Sequence, residues 1–320
     1  MTKPRVLQIG SIAGAIQANA ALRENYDVIA LWEAQDRQAC LEAAKDVEVI
    51  ITTARYGCPS DVILALPSLK AICSWGVGYD LIDLELLKQR NVQLSTTPDV
   101  LNDCVADEAW ALLMASARHI VQGDQMVRAN DWENGTRTLP LGTRVAGKKL
   151  GILGLGRIGQ AIAKRSHGFD MEVRYHNRNP RNDVPYEYSK TLLELAQWAD
   201  FLVIASVGGE ETRGIVSREV LRALGPKGIV VNIARGSVID EQGMIELLQS
   251  GELGGAGLDV FEHEPRVPDA LKQMPQVVLM PHVASATYET RQDMETLLLE
   301  NLRAYFAGEG LVTPLSLNNV

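Results

Sequence analysis

Arg235, Glu264 and His282 are the residues of this chain whose types suit proton transfer on an anionic ligand, and each follows closely on an apolar run. Arg235 stands in Asn232-Ile233-Ala234-Arg235-Gly236-Ser237, Glu264 in Gly257-Leu258-Asp259-Val260-Phe261-Glu262-His263-Glu264-Pro265, and His282 in Met280-Pro281-His282-Val283-Ala284. An arginine offers a planar fork to a carboxylate. An imidazole gains or loses a proton near neutral pH, and a neighbouring carboxylate favours the protonated ring. Singly, each is read equally well as a surface arginine, a loop carboxylate or a structural histidine. Together they mean more, because all three would stand at the carboxyl ends of strands, where an open α/β sheet receives its ligand.

The elements that must position them are legible as alternating apolar and helix-forming stretches. Strands are expected over 149–154, 172–176, 200–205, 228–233, 256–260 and 277–280, a full set for a dinucleotide-binding parallel sheet. The run Gly151-Ile152-Leu153-Gly154-Leu155-Gly156-Arg157-Ile158-Gly159 closes the first strand and opens a helix-forming stretch over 160–166. Glycines at this spacing are a weak signal alone, but the strand-turn-helix setting makes them specific. Gly154 permits the tight turn, Gly156 lets backbone approach a pyrophosphate, Gly159 lets helix and strand pack closely, and the helix N-terminus offers N–H groups to the anion.

The end of the second strand separates the two dinucleotides. NAD-specific units usually carry an acid there for the ribose 2′-OH. This chain has Tyr175-His176-Asn177-Arg178-Asn179 instead. Arg178, with hydrogen bonds from Asn177 and Asn179, suits a 2′-phosphate, which makes NADP the expected cofactor and NAD the second choice; the alternative is a solvated loop arginine.

The first part of the chain repeats the alternation without a phosphate loop. Strands are expected over 5–10, 26–32, 47–53, 69–75 and 92–95, with helices over 12–24, 36–44 and 81–89. Pro98, Asn102 and Asp103 mark the start of an apolar helix over 103–119, followed by an irregular segment over 130–144. A last helix over 288–308 is expected to return to the first domain. The reading is an α/β chain of two doubly wound parallel-sheet domains, residues 1–98 plus 289–320 for substrate and 99–288 for the dinucleotide.

Composition narrows the class. With 320 residues, 46% hydrophobic and 22% charged, the chain is an ordinary globular one with room for two domains. A net charge of −9 argues against nucleic acid, which needs a basic surface. Cys40, Cys58, Cys73 and Cys104 are scattered, without metal-ligand spacing, and read as reduced thiols. Met1-Thr2-Lys3-Pro4 leads directly into an apolar strand, and no stretch reaches the length of a membrane span, so a cytoplasmic protein is expected.

In these motifs the chain resembles the D-isomer-specific 2-hydroxyacid dehydrogenase family, and within it the NADP-dependent glyoxylate/hydroxypyruvate reductases. The likeness spans nearly the whole length: the turn Gly76-Val77-Gly78-Tyr79-Asp80, the glycine loop, the blocks over 232–241 and 257–265, and Pro281-His282. Ala284 stands where the family often has glycine, and Ser206-Val207-Gly208-Gly209-Glu210 replaces a common Pro-Leu-Thr run. The resemblance implies a flavodoxin-like substrate domain beside a Rossmann domain, and reduction of a small anionic 2-oxoacid to its D-2-hydroxyacid. His282 would be the general acid, Glu264 would hold the other ring nitrogen and favour its protonated form, and Arg235 would bind the carboxylate and carbonyl oxygen. It also implies cofactor contacts at Gly154, Gly156, Arg157, Ile158, Gly159, Asn177, Arg178, Asn179, Ser206, Val207, Thr212, Ile233, Ala234, Arg235, His282 and Ala284, with Asp259 on the nicotinamide carboxamide. Substrate contacts would come from Arg55, Trp75, Gly76, Val77 and Gly78. A homodimer is implied, with residues 131–140 as an arm and Leu139 reaching the partner's substrate pocket as a further substrate contact beside Arg235 and His282.

Two rivals share the fold. Formate and phosphite dehydrogenases have a similar layout; the formate type carries glutamine at the position of Glu264, so the glutamate weighs against it, while phosphite stays open. A dinucleotide-sensing corepressor would carry long extra tails and would have no use for the arginine, glutamate and histidine together.

Overall fold

The computed structural model describes residues 3–12 and 14–317. It divides into two compact units, Met1–Leu101 with Ser285–Val320, and Asn102–Ala284. The divisions fall at 101/102 and 284/285, against 98/99 and 288/289 in the expected scheme.

The first unit runs β1 (Arg5–Gln8), α1 (Ala18–Asn25), β2 (Asp27–Ala30), α2 (Arg37–Ala43), β3 (Val49–Thr53), α3 (Ser60–Ala65), β4 (Ala71–Trp75), α4 (Leu84–Arg90) and β5 (Gln93–Ser95). All five strands are parallel in the order β2-β1-β3-β4-β5, the flavodoxin arrangement. β3 and β4 are buried throughout, as expected of central strands covered on both faces. Several boundaries depart from expectation. The helix expected from residue 12 begins at Ala18, because the buried Glu295 carboxylate accepts the N–H groups of Ile16, Gln17 and Ala18 and fixes the helix start there. The helix expected from 81 starts after Asp83, whose side chain caps Leu86 N–H. The strand expected to 32 stops at Ala30, where a 3-10 turn begins at Leu31. The short helix α3 was not foreseen.

The second unit runs α5 (Asn102–Arg118), α6 (Ile120–Arg128), β6 (Lys149–Leu153), α7 (Arg157–Ser166), β7 (Glu172–His176), β8 (Glu187–Tyr188), α8 (Leu192–Trp198), β9 (Phe201–Ile204), α9 (Arg218–Leu224), β10 (Ile229–Asn232), α10 (Glu241–Ser250), β11 (Gly255–Leu258), α11 (Asp269–Gln273) and β12 (Val277–Leu279). Its seven parallel strands lie in the order β12-β11-β10-β9-β6-β7-β8, a Rossmann sheet in which the six expected strands are joined at one edge by the unexpected two-residue β8. The long α5 packs on β10 and β11. Glycine makes this possible: a Cβ at Gly257 would come within 3.0 Å of Leu112 Cβ. α12 (Tyr288–Phe306) belongs to the first unit and packs against β4 and α1.

Among the described residues no helix is long and apolar enough to cross a membrane, no group of His, Cys, Asp and Glu could hold a metal ion, and the four cysteines are free.

Candidate active site

The glycine loop follows β6 with a separate physical reason at each glycine. Gly154 has φ +93°, and a Cβ there would lie 2.6 Å from the Ser206 backbone. A Cβ at Gly159 would overlap the Gly154 carbonyl oxygen, whereas Gly156 faces open space. Gly156 is the N-cap of α7 and no side chain caps the helix, so its first N–H groups are presented outward beside exposed Arg157 and half-buried Ile158. The loop is tied from behind: Leu155 N–H donates to Asn177 Oδ1 at 2.7 Å, and Arg181 Nη1 donates to the Leu155 carbonyl at 3.0 Å. Asn177, expected to face a 2′-phosphate, therefore uses its carbonyl oxygen on the loop and keeps only its amide N–H groups for a ligand. Arg181 was not foreseen; nothing in Asn179-Pro180-Arg181 marks it locally.

Arg178 and Asn179 are exposed beyond β7, and Arg178 is ion-paired with Glu211. Beyond β9, the Ser206 hydroxyl is buried without a hydrogen-bond partner, Val207 is exposed, and the Thr212 hydroxyl donates to the Val207 carbonyl at 2.9 Å. A bare helix N-terminus, a glycine cradle open at Gly156 and an orphaned hydroxyl beside Gly154 are what a dinucleotide would require.

Three adjacent strand ends carry the polar cluster. After β10, Asn232 spans its own turn: its Oδ1 accepts Ala234 N–H at 3.0 Å and its Nδ2 donates to the Arg235 carbonyl at 2.9 Å, with Ile233 and Ala234 buried beneath. A Cβ at Gly236 would overlap the Phe261 backbone, so glycine lets this turn lie directly on the Glu264 loop. Arg235, half-buried, donates to the Ala234 carbonyl at 2.8 Å. Glu264 Oε1 accepts Phe261 N–H at 3.1 Å, and its Oε2 lies 2.7 Å from His282 Nδ1. Burial raises the Glu264 carboxyl, but the His282 hydrogen bond and charge, the Phe261 N–H and the charge of Arg235 together hold it below the usual carboxylate range. Nδ1 being taken, Nε2 is the ring nitrogen left to meet a ligand.

His282 has φ +56°, a left-handed backbone that costs a residue with a side chain about 1 kcal/mol. Asp259 holds it there. Its carbonyl accepts His282 N–H at 2.9 Å, and its fully buried carboxylate accepts Val283 N–H at 2.8 Å and Ala284 N–H at 2.9 Å. Burial pushes the Asp259 carboxyl up, and the two backbone N–H groups and His282 only partly offset this. Sequence reasoning gave Asp259 a cofactor contact; its hold on three successive N–H groups is additional. Cys104 on α5 donates to the Ala284 carbonyl at 3.1 Å from the other side.

The remaining expected residues stand on other elements. Trp75 ends β4 in the first unit, its indole N–H buried and unpartnered, with the Arg291 guanidinium 4.6 Å above its ring. Gly76 has φ +125° and donates its N–H to Thr97 Oγ1 at 3.0 Å, while Val77 and Gly78 are half-buried. Arg55 is exposed after β3. Leu139, on the irregular segment after α6, is 40% exposed and packs near Gly123.

Residues 110–284 match the family model for the NAD binding domain of the D-isomer specific 2-hydroxyacid dehydrogenases. The chain belongs to this family. Among relatives of this 2-hydroxyacid dehydrogenase, the glyoxylate/hydroxypyruvate reductase A of Arabidopsis thaliana is 42% identical over 92% of this chain and 94% of that protein. The hydroxyphenylpyruvate reductase of Plectranthus scutellarioides is 43% identical over 85% and 86%. A crystal structure of the NADPH-dependent glyoxylate/hydroxypyruvate reductase of Sinorhizobium meliloti, in complex with NADP and malonate, superposes with a TM-score of 0.90 at 36% identity, covering 99% of this chain and 98% of that one.

Proposed function

We propose that this chain reduces small 2-oxoacids, glyoxylate and hydroxypyruvate first among them, to D-2-hydroxyacids with NADPH. The observation that carries the reading is the 2.7 Å contact between His282 Nδ1 and Glu264, on strand ends shared with Arg235, in the same unit as the glycine loop. NADPH supplies the hydride that reaches C2 of the substrate. Arg235 orients the substrate carboxylate and stabilises charge growing on the carbonyl oxygen. His282 Nε2 delivers the proton to that oxygen, and Glu264 keeps the ring oriented until it does. Arg178 takes the 2′-phosphate, Gly156 and the α7 N-terminus the pyrophosphate. On the resemblance, the backbone N–H groups of Val77 and Gly78 bind the substrate carboxylate; Arg55 assists by its charge.

Steady-state rates of NADPH oxidation with glyoxylate, hydroxypyruvate, 4-hydroxyphenylpyruvate, pyruvate and, in the NADP-reducing direction, phosphite test this. Turnover of phosphite with none of the 2-oxoacids would overturn it.

The chain is further proposed to act as a homodimer through α6 and the segment after it. Ile120, Val121, Val127, Trp132, Leu139 and Leu141 are exposed there, Leu141 at 98%, beside a cavity of about 600 Å³ lined by Met114, Val145 and Phe169. Six exposed large apolar side chains within one stretch of chain suit a second copy. The free cysteines are consistent with a reducing, cytoplasmic setting.

A further inference from the structure

The chain lacks an acid at the end of β7, yet a carboxylate reaches that place from another loop. Arg178, two residues past β7, pairs with Glu211 in the 3-10 turn Glu210–Thr212 that follows β9. β7 and β9 flank β6, so the pair links the loops on either side of the strand that carries the glycine loop. Thr212 secures the turn through its bonds to the Val207 and Gly209 carbonyls, at 2.9 and 3.2 Å, and Gly209 at φ +127° allows it. Glu210 is turned to Arg213, leaving Glu211 as the acid directed at Arg178.

We propose that Glu211 is a specificity-determining residue that restrains the preference for NADP over NAD by competing with the 2′-phosphate for Arg178. The inference rests on the reading of Arg178 given above. Both side chains are well exposed, at 70% and 75%, so the pair is weak enough for a ligand to open. A 2′-phosphate, close to doubly charged near neutral pH, must break that pair and then sit near the displaced carboxylate. A 2′-hydroxyl has no such cost, and Glu211 can accept a hydrogen bond from it. The loop following β9 thus supplies, from a distance in sequence, part of what an acid at the end of β7 supplies in NAD-specific units.

The test is direct titration of the full-length protein without substrate, by calorimetry, giving Kd for NADP and NAD at low ionic strength. Glu211→Gln should tighten NADP by about threefold to tenfold: losing an exposed pair gives up to about fivefold, and relief of repulsion with a doubly charged group adds to it. The NAD Kd should change by less than about twofold in either direction, and the NADP gain should shrink at high salt. An NADP Kd that stays the same or rises would overturn the role of Glu211. Arg178→Ala distinguishes the two layers. If it weakens NADP selectively while Glu211→Gln does nothing, only the present inference fails; if it leaves the NADP/NAD ratio unchanged, the reading of Arg178 fails and this one with it. In the Arg178→Ala background the gain from Glu211→Gln should fall below about twofold, and a full gain there would refute competition for Arg178. Unchanged thermal melting of each variant confirms that folding is intact.

Discussion

Replacing Glu264 with glutamine removes a charge from the His282 pair while keeping an acceptor for Nδ1, which separates the electrostatic role from the orienting one. Charge-assisted hydrogen bonds contribute about 1.5–3 kcal/mol. Here the His282 and Glu264 side chains are 40% and 23% exposed, so solvent screening argues for the lower end, about 1.5 kcal/mol. That equals about a tenfold change in rate. In the proposed reduction His282 gives up its ring proton beside the Glu264 carboxylate, which the ring holds below the usual carboxylate range. Without it the charge across the pair is lost while the orienting bond remains, so kcat/KM for glyoxylate should fall roughly tenfold. The same depressed carboxyl stabilises the fold above the unfolded carboxylate range near pH 4.3 and ceases to do so as pH drops through its folded value. The stability gap between wild type and variant should therefore close in acid. Profiles recorded from pH 5 to 10 that superimpose for the two proteins would refute the electrostatic pairing.

Asp259→Asn leaves one acceptor for the two N–H groups of Val283 and Ala284, so it should cost about 1–3 kcal/mol by urea unfolding and lower kcat through a displaced His282; a variant of wild-type stability and activity would deny Asp259 that function. Gly159→Ala forces a methyl onto the Gly154 carbonyl and should lower the melting temperature by about 2–10 °C together with weaker NADP binding, measured by scanning calorimetry and titration. The double variant Leu139→Arg/Leu141→Arg should shift sedimentation toward the monomer at micromolar concentration; an unaltered dimer would place the interface elsewhere.

Much of the scaffold is readable from local pattern, because buried parallel strands are short runs of Val, Ile and Leu closed by glycine or polar residues. β6 with its three glycines, and the polar residues that end β10, β11 and β12, are of this kind. What escaped are features made by residues distant in sequence. The start of α1 depends on Glu295, 277 residues away from Ala18, and no local signal at 12–18 reveals it. β8 is two residues long, too short for any periodicity. Arg178 was legible as a cation at the end of β7, but its partner Glu211 lies 33 residues on in a different loop. Asn232 could have been noticed, since an Asn at a strand end commonly bonds its own turn two or three residues ahead.

The proton that completes reduction is assigned to His282, and His282→Gln tests that most directly. Single-turnover reduction of glyoxylate by the NADPH-saturated variant should be slower by about 100-fold to 10,000-fold, with NADPH Kd by titration within about twofold of wild type. A single-turnover rate within about tenfold of wild type, with binding intact, would mean that another group donates the proton.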